Sequence, residues 1–233
     1  MKIAIMQPYF FPYIGYFQLI NSVDKFIIYD NIQYTKKGWI NRNKILVNSS
    51  DKIITLPIKK DSDYLDIKER VLANIWEQEK IKMLNLIKSS YKKSPYFNKV
   101  YPVISSIFEV PNTNLFEFLL NSLHLLNSYL KIKTKITISS DINIDHSLKS
   151  TDKVIAICKE FNTNTYINAI GGQKLYNVKD FKNEGIDLKF IKSSPLTYKQ
   201  YDNEFIPWLS IIDVLMFNKK QDIIKQLNNY TLI

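Results

Sequence analysis

A chain of 233 residues, 45% hydrophobic and 23% charged, can bury the core of one large domain or two small ones. No run of about 18 uncharged apolar residues occurs, which excludes a spanning helix. The single Cys158 excludes an internal disulfide and a cysteine-rich zinc site. The net charge of +10 is not read as a nucleic-acid footprint: only Arg42 and Arg70 are arginine, the lysines are scattered, and phosphate surfaces favour the guanidinium fork. Prolines interrupt the apolar N-terminal stretch and no small-residue cleavage site follows it, so a cytoplasmic protein is expected.

In chain order, "KIAIMQ" (2–7) reads as a buried strand ended by Pro8. "YIGYFQLINSV" has apolar residues at helical spacing, and "KFIIYD" (25–30) is a second strand; together they predict a βαβ unit with parallel strands. "GWINRNKILV" (38–47) is a β-extension or functional loop, "KIITLPIK" (52–59) a strand, and "LDIKERVL" a further strand. From Glu77 to about Lys131 the pattern is helical, with a break at Ser94-Pro95 and Asn112 or Thr113 capping the last helix. Strand–helix alternation then resumes: "KITISSDI", a helix "STDKVIAICKEFN" capped by Ser150 or Thr151, "TYINAIGG", a short helix closed by Gly185, "IDLKFIKSS", and a final apolar helix "WLSIIDVLMF". The fold class is α/β, a mostly parallel Rossmann-like sheet with an inserted all-helical subdomain. The boundaries fall at 1–76, 77–132 and 133–233.

Three places concentrate residues suited to chemistry. Gly15 opens the first helix after the first strand, where backbone amides and the helix dipole can meet an anion. Gly171 and Gly172 follow an apolar strand, where α/β proteins bind ligands. The loop "YDNIQYTKKGWINRN" (29–43) brings Asp30, Gln33, Trp39, Asn41, Arg42 and Asn43 together, residues that read hydroxyls, ring faces and phosphates. The bland alternative is a polar β-hairpin. His124 reads as a packed helical histidine and His146, in a polar loop, as a general-base candidate; Cys158 reads as core. No metal spacing, HExxH or GxSxG occurs.

Together "MQPYFFPYIGYFQLI", "DKFIIYDNIQYTKKGWINRNKI", "YINAIGGQKLY" and "YKQYDNEFIPWLSIIDVLMFN" resemble the WbqC-like family of bacteria. That family is associated with gene clusters for O-antigen and other surface polysaccharides. The resemblance implies a transferase that forms an amide, acyl or aminoacyl such as glycyl, on the amine of a nucleotide-linked amino sugar. Its partners would be that sugar and a small acyl or amino-acid donor. ATP is the only cofactor left open, and no metal is expected. The alternative is a non-catalytic protein that holds a nucleotide-sugar or glycan for a partner enzyme. The opening layout is also similar to that of pantothenate-synthetase-like ligases and nucleotidylyltransferases. Those enzymes place two histidines around the glycine; Tyr13 and Tyr16 stand in comparable places here.

Within this frame, Phe17 and one of Phe10 or Phe11 are expected in the core, with Gln7, Tyr9, Tyr13 and Tyr16 facing a pocket. The base is Asp30 or His146, the orienting donors are Asn41 or Gln33, and Arg42 meets the diphosphate.

Overall fold

The computed structural model of the chain describes residues 1–109, 113–202 and 204–233. β1 (Lys2–Met6), α1 (Ile14–Asn21) and β2 (Lys25–Ile28) form the expected βαβ unit, with parallel pairing from Ile3↔Lys25 to Met6↔Ile28. β3 (Arg42–Val47) and β4 (Ser50–Thr55) pair antiparallel as a separate hairpin. Its two turn residues, Asn48 and Ser49, both have positive φ (47° and 64°), the mirror-image turn whose twist matches that of the strands.

Three helices follow: α2 (Trp76–Tyr91), α3 (Phe97–Glu109) and α4 (Leu115–Leu130). The chain then returns to the main sheet through β5 (Lys135–Ile138), α5 (Ser150–Glu160), β6 (Thr165–Ala169), α6 (Val178–Asn183) and β7 (Asp187–Ser193). It ends with α7 (Ile211–Phe217), α8 (Lys220–Gln226) and β8 (Tyr230–Leu232).

The six-stranded sheet runs β5-β2-β1-β6-β7-β8, and only the edge strand β8 pairs antiparallel. Side chains alternate between its faces, as a period of two requires. Ile3, Ile5, Ile27, Tyr166, Leu188 and Phe190 pack with Val154, Ile157 and Cys158 of α5 and with Phe181 of α6. Burial pushes the Cys158 thiol up to about 12, so it is an inert core residue. Ala4, Phe26, Ile28, Ile167 and Ile191 belong to the opposite core, which continues without a break into α2, α3 and α4.

An aromatic cluster joins these helices to the loop after β1. The Phe108 ring stacks on Trp76 and on Phe11, 5.9 Å between centroids in each case. Phe118 meets Trp76 at 5.4 Å and Phe10 at 6.2 Å. Both Phe10 and Phe11 are fully buried, so the core takes two phenylalanines from this loop where one was expected.

Other departures have local causes. "LDIKERVL" is a 3-10 turn (Ile67–Glu69) between isolated bridges, not a strand. Asp66 and Glu69 form a reciprocal capping box, with Asp66 N–H donating to Glu69 Oε2 at 2.7 Å, and that closes a turn. Asn114 caps α4, its Oδ1 accepting the Glu117 N–H; Asn112 lies outside the described residues. Lys149 occupies the cap position of α5, one residue before the expected serine. Trp208 and Leu209 precede the helix they were assigned to, and that helix is not the last. Gly185 has φ +72° just past α6, the left-handed position that glycine takes at a helix end.

Phe118→Ala empties the middle of the aromatic cluster. It is expected to cost about 3–5 kcal/mol, read as a lower denaturant midpoint with an unchanged slope.

Candidate functional site

The strand order reverses at β1: the chain moves from it to β2 on one side, while β6 flanks it on the other. Beyond the carboxyl ends of two such strands an α/β sheet leaves a crevice. A cavity of about 270 Å³ opens there. Met6 and Ala169 at the ends of β1 and β6 are part of its lining, with Pro12, Gly15, Tyr16 and Leu19 behind them. Tyr9, Tyr13, Trp39, Asn43 and Trp208 complete the wall.

The wall is mainly aromatic. Tyr9 packs on Tyr16 with 5.5 Å between centroids, and Tyr13 meets Trp208 edge-on at 5.2 Å. Trp39 and Trp208 are 41% and 66% exposed, unusual for this residue. Trp208 also has a left-handed backbone, φ 61°, which a bulky side chain rarely adopts. Its surroundings impose it. Just after it, Ser210 N–H donates to Lys44 O at 2.9 Å and Ile211 N–H to Pro12 O at 3.0 Å. Just before it, Gln200 bonds both the N–H and the C=O of Ile206.

Gln200 is itself anchored on Asp213, a fully buried carboxylate in α7. The Tyr91 and Tyr198 hydroxyls also donate to Asp213, at 2.9 and 2.7 Å. Burial pushes the Asp213 carboxyl up, and these three hydrogen bonds pull against it.

Asn43 reaches the cavity but is tied to backbone. Its Nδ2 donates to Phe10 O and Phe11 O, both at 2.9 Å, and its Oδ1 accepts the Lys44 N–H at 2.8 Å. Phe10 N–H in turn donates to Trp39 O at 3.0 Å. Tyr16 is buried and its hydroxyl donates to Gln7 O at 2.9 Å, while the Gln7 side chain is outside the lining. Burial pushes the Tyr16 phenol well above its usual range. A Cβ on Gly15 would sit 2.6 Å from Ser193 Oγ, so this glycine permits close approach of α1 to β7.

The remaining candidates lie around this cavity. Arg42 donates from Nε to Gly38 O and from Nη2 to Lys37 O, at 3.1 and 2.6 Å, closing the loop that carries Trp39. Asn41 is buried between Tyr34 Oη and Leu56 O and lines a second cavity; Gln33 Nε2 donates to Asp63 O. Gly171 and Gly172 form a 3-10 turn after β6. Gly171 is open, and a Cβ on Gly172 would sit 2.5 Å from Asn168 Nδ2.

Asp30 and His146 lie elsewhere, Asp30 just past β2 and His146 in the segment after β5. Asp30 is buried and its Oδ1 accepts the Ser140 N–H at 2.9 Å. His146 Nε2 lies 2.9 Å from Ile142 O, a pure acceptor, so that nitrogen carries the proton; Nδ1 then accepts from Asn31 Nδ2 at 2.9 Å. Among the described residues no cluster of His, Cys, Asp and Glu could hold a metal, and no helix is long and apolar enough to cross a membrane.

A family model described as the WbqC-like protein family matches residues 7–225. The chain belongs to the WbqC-like protein family. It is similar to "Uncharacterized protein Rv1507c" of Mycobacterium tuberculosis, 30% identical over 221 residues that cover 93% of each chain. No solved structure matches.

Two residues of this WbqC-like protein stand out only in three dimensions. Trp208 belongs to a stretch that reads as apolar helix, yet it is the most exposed aromatic of the cavity. Lys153 is buried in α5, its Nζ donating to Asn31 O at 3.2 Å and standing 5.1 Å from the Tyr29 ring. Burial pushes its ammonium down, and Asp66 and Asp30 oppose that shift. A lysine on an amphipathic helix carries no local signal that it faces inward.

In the WbqC-like chain the two cavity residues Asn43 and Trp208 are expected to respond oppositely to truncation. Asn43→Ala leaves the Phe10 and Phe11 carbonyls without their donor, costing about 2–3 kcal/mol. Trp208→Ala removes an exposed ring and is expected to change stability by less than about 1 kcal/mol. Urea unfolding of both variants checks the contrast.

Proposed function

We propose that this protein binds a nucleotide-linked amino sugar in the aromatic cavity and forms an amide on the sugar amine, taking an acyl or aminoacyl group, glycyl being one choice, from a small activated donor. The observation that carries the reading is the wall formed by Tyr9, Tyr13, Trp39 and Trp208 at the point where the strand order reverses. Aromatic faces form platforms for sugar rings and nucleobases, and this crevice is where α/β sheets receive such ligands. Membership of the WbqC-like family supports the sugar assignment through the polysaccharide clusters to which that family is linked.

The step requires a neutral amine whose lone pair attacks the acyl carbon. The carbonyl electrons move to oxygen and return as the leaving group departs, and one proton leaves the amine. The sugar amine must extend beyond the aromatic wall to reach its base in this proposal, Asp30, which is buried and outside the cavity lining. Asp30 follows β2, the neighbour of β1 on the same carboxyl edge, and Ser140 N–H holds only its Oδ1. His146 orients Asn31 rather than taking the proton, since both of its ring nitrogens are engaged. The diphosphate would meet the N–H groups of Arg42 left over from the loop carbonyls.

A second reading, a non-catalytic nucleotide-sugar or glycan holder for a partner enzyme, is favoured by one feature. Among the described residues no acidic or basic side chain lines the aromatic cavity.

The two readings separate when the protein is incubated with a nucleotide-linked amino sugar and, in turn, glycine with ATP or a preactivated acyl donor. A mass increase on the sugar, slowed at least about 100-fold by Asp30→Asn with binding retained, is the expected result. Tight binding with no mass change under any donor would establish the holder reading. Undiminished sugar affinity in Trp208→Ala would remove the aromatic cavity from both.

A further inference from the structure

A second cavity, about 500 Å³, shares no lining residue with the aromatic one. On its wall is Arg70, one of two arginines in the chain and only 3% exposed. Its backbone is fixed on both sides: Arg70 N–H donates to Ile67 O at 3.2 Å, and Arg70 O accepts the Leu115 N–H at 2.9 Å. Its guanidinium is 4.9 Å from the face of Tyr34, whose hydroxyl is held by Asn41 Oδ1 at 2.9 Å. The charge is therefore positioned, yet Nε and Nη2 are buried without a hydrogen-bond partner, and no carboxylate forms an ion pair with it among the described residues.

A buried guanidinium ordinarily finds a carboxylate or phosphate, because an unpaired charge in a low-dielectric site is costly. The surroundings supply more positive charge. Lys59 and Lys60, just past β4, line the same cavity, are exposed, and form no ion pair among the described residues. Two carboxylates share the lining: Asp63 pairs with Lys36 at 2.6 Å, and Lys36 together with the more distant Arg70 holds its carboxyl down, while Asp61 Oδ1 accepts the Ser62 N–H at 2.8 Å.

We propose that the cavity around Arg70 is an oxyanion site that takes a phosphoryl group. The Arg70 fork gives directional hydrogen bonds from a fixed platform, and Lys59 and Lys60 close over the anion from the rim. A phosphoryl group is assigned over a carboxylate because Arg70, Lys59 and Lys60 line one cavity where a single negative charge needs one cation. The assignment does not depend on sugar binding in the aromatic cavity.

The test is calorimetric titration of the whole protein with inorganic phosphate and pyrophosphate at constant ionic strength, with acetate as the carboxylate arm. The expected result is that phosphate and pyrophosphate bind and acetate does not. Lys59→Ala combined with Lys60→Ala, both on the exposed rim, should weaken phosphate binding about tenfold with an unchanged melting temperature. Arg70→Met should abolish binding and melt no lower than wild type, since methionine occupies similar volume without an unpaired charge. Absence of phosphate binding by wild type, unchanged binding by the double lysine variant, or acetate binding as tightly as phosphate would each overturn the proposal. Should Arg70→Met fail to fold, the double lysine variant decides alone.

Discussion

The carboxamide of Asn43 ties two independent pieces of backbone together. It donates to the carbonyls of Phe10 and Phe11 in the loop after β1, and it belongs to β3 of the separate hairpin. Phe11 is left-handed at φ 43°, so the loop needs this support to hold its course. The same loop sends two rings into the core beside Trp76, Phe108 and Phe118, and presents Tyr9 and Tyr13 to the cavity. The hairpin, the helical segment and the aromatic wall thus share one hydrogen-bonded junction. Without it, the Phe10 N–H to Trp39 O bond would have to hold the register that separates core rings from cavity rings.

A second polar centre works from the opposite direction. Asp213 collects Tyr91 from α2 and Tyr198 and Gln200 from the segment before α7. Tyr91 Oη also accepts the Leu46 N–H at 2.8 Å, so β3 is drawn into the same network. A lone carboxylate here is tolerable because three donors surround it. Among its described residues the irregular stretch between β7 and α7 has no ladder of its own, and these bonds hold Tyr198, Gln200 and Ile206 in place beside α7. That anchorage is what delivers Trp208 to Tyr13.

The parallel core was readable because β1, α1 and β2 carry clean periodicities and short connections, and β6 and β7 repeat the pattern. The hairpin turn at Asn48-Ser49 lacks the glycine that usually announces it, so β3 could not be told from a loop. Asp66 and Glu69 do carry a capping-box spacing, but Ile67, Val71 and Leu72 around them read as a strand. Tyr9, Tyr13, Gly15 and Tyr16 reach one cavity because they are close in sequence. Trp208, Lys153 and Arg70 have positions set by partners far along the chain, and no local pattern encodes those. Arginine is scarce, which singles out Arg42 in the sequence, yet its donors are spent on its own loop; the more deeply buried Arg70 lies in a stretch whose pattern is that of an ordinary strand.

The distribution of indoles has a practical meaning. The chain has three tryptophans, and the structure separates them by task. Trp76 is 4% exposed within a cluster of phenylalanines, whereas Trp39 and Trp208 stand open on the cavity wall. Intrinsic emission is therefore a composite of one shielded fluorophore and two hydrated ones. Occupation of the cavity dehydrates the second pair and moves emission to the blue, while unfolding hydrates Trp76 and moves it to the red, so a single unlabelled spectrum reports the two events by shifts of opposite sign.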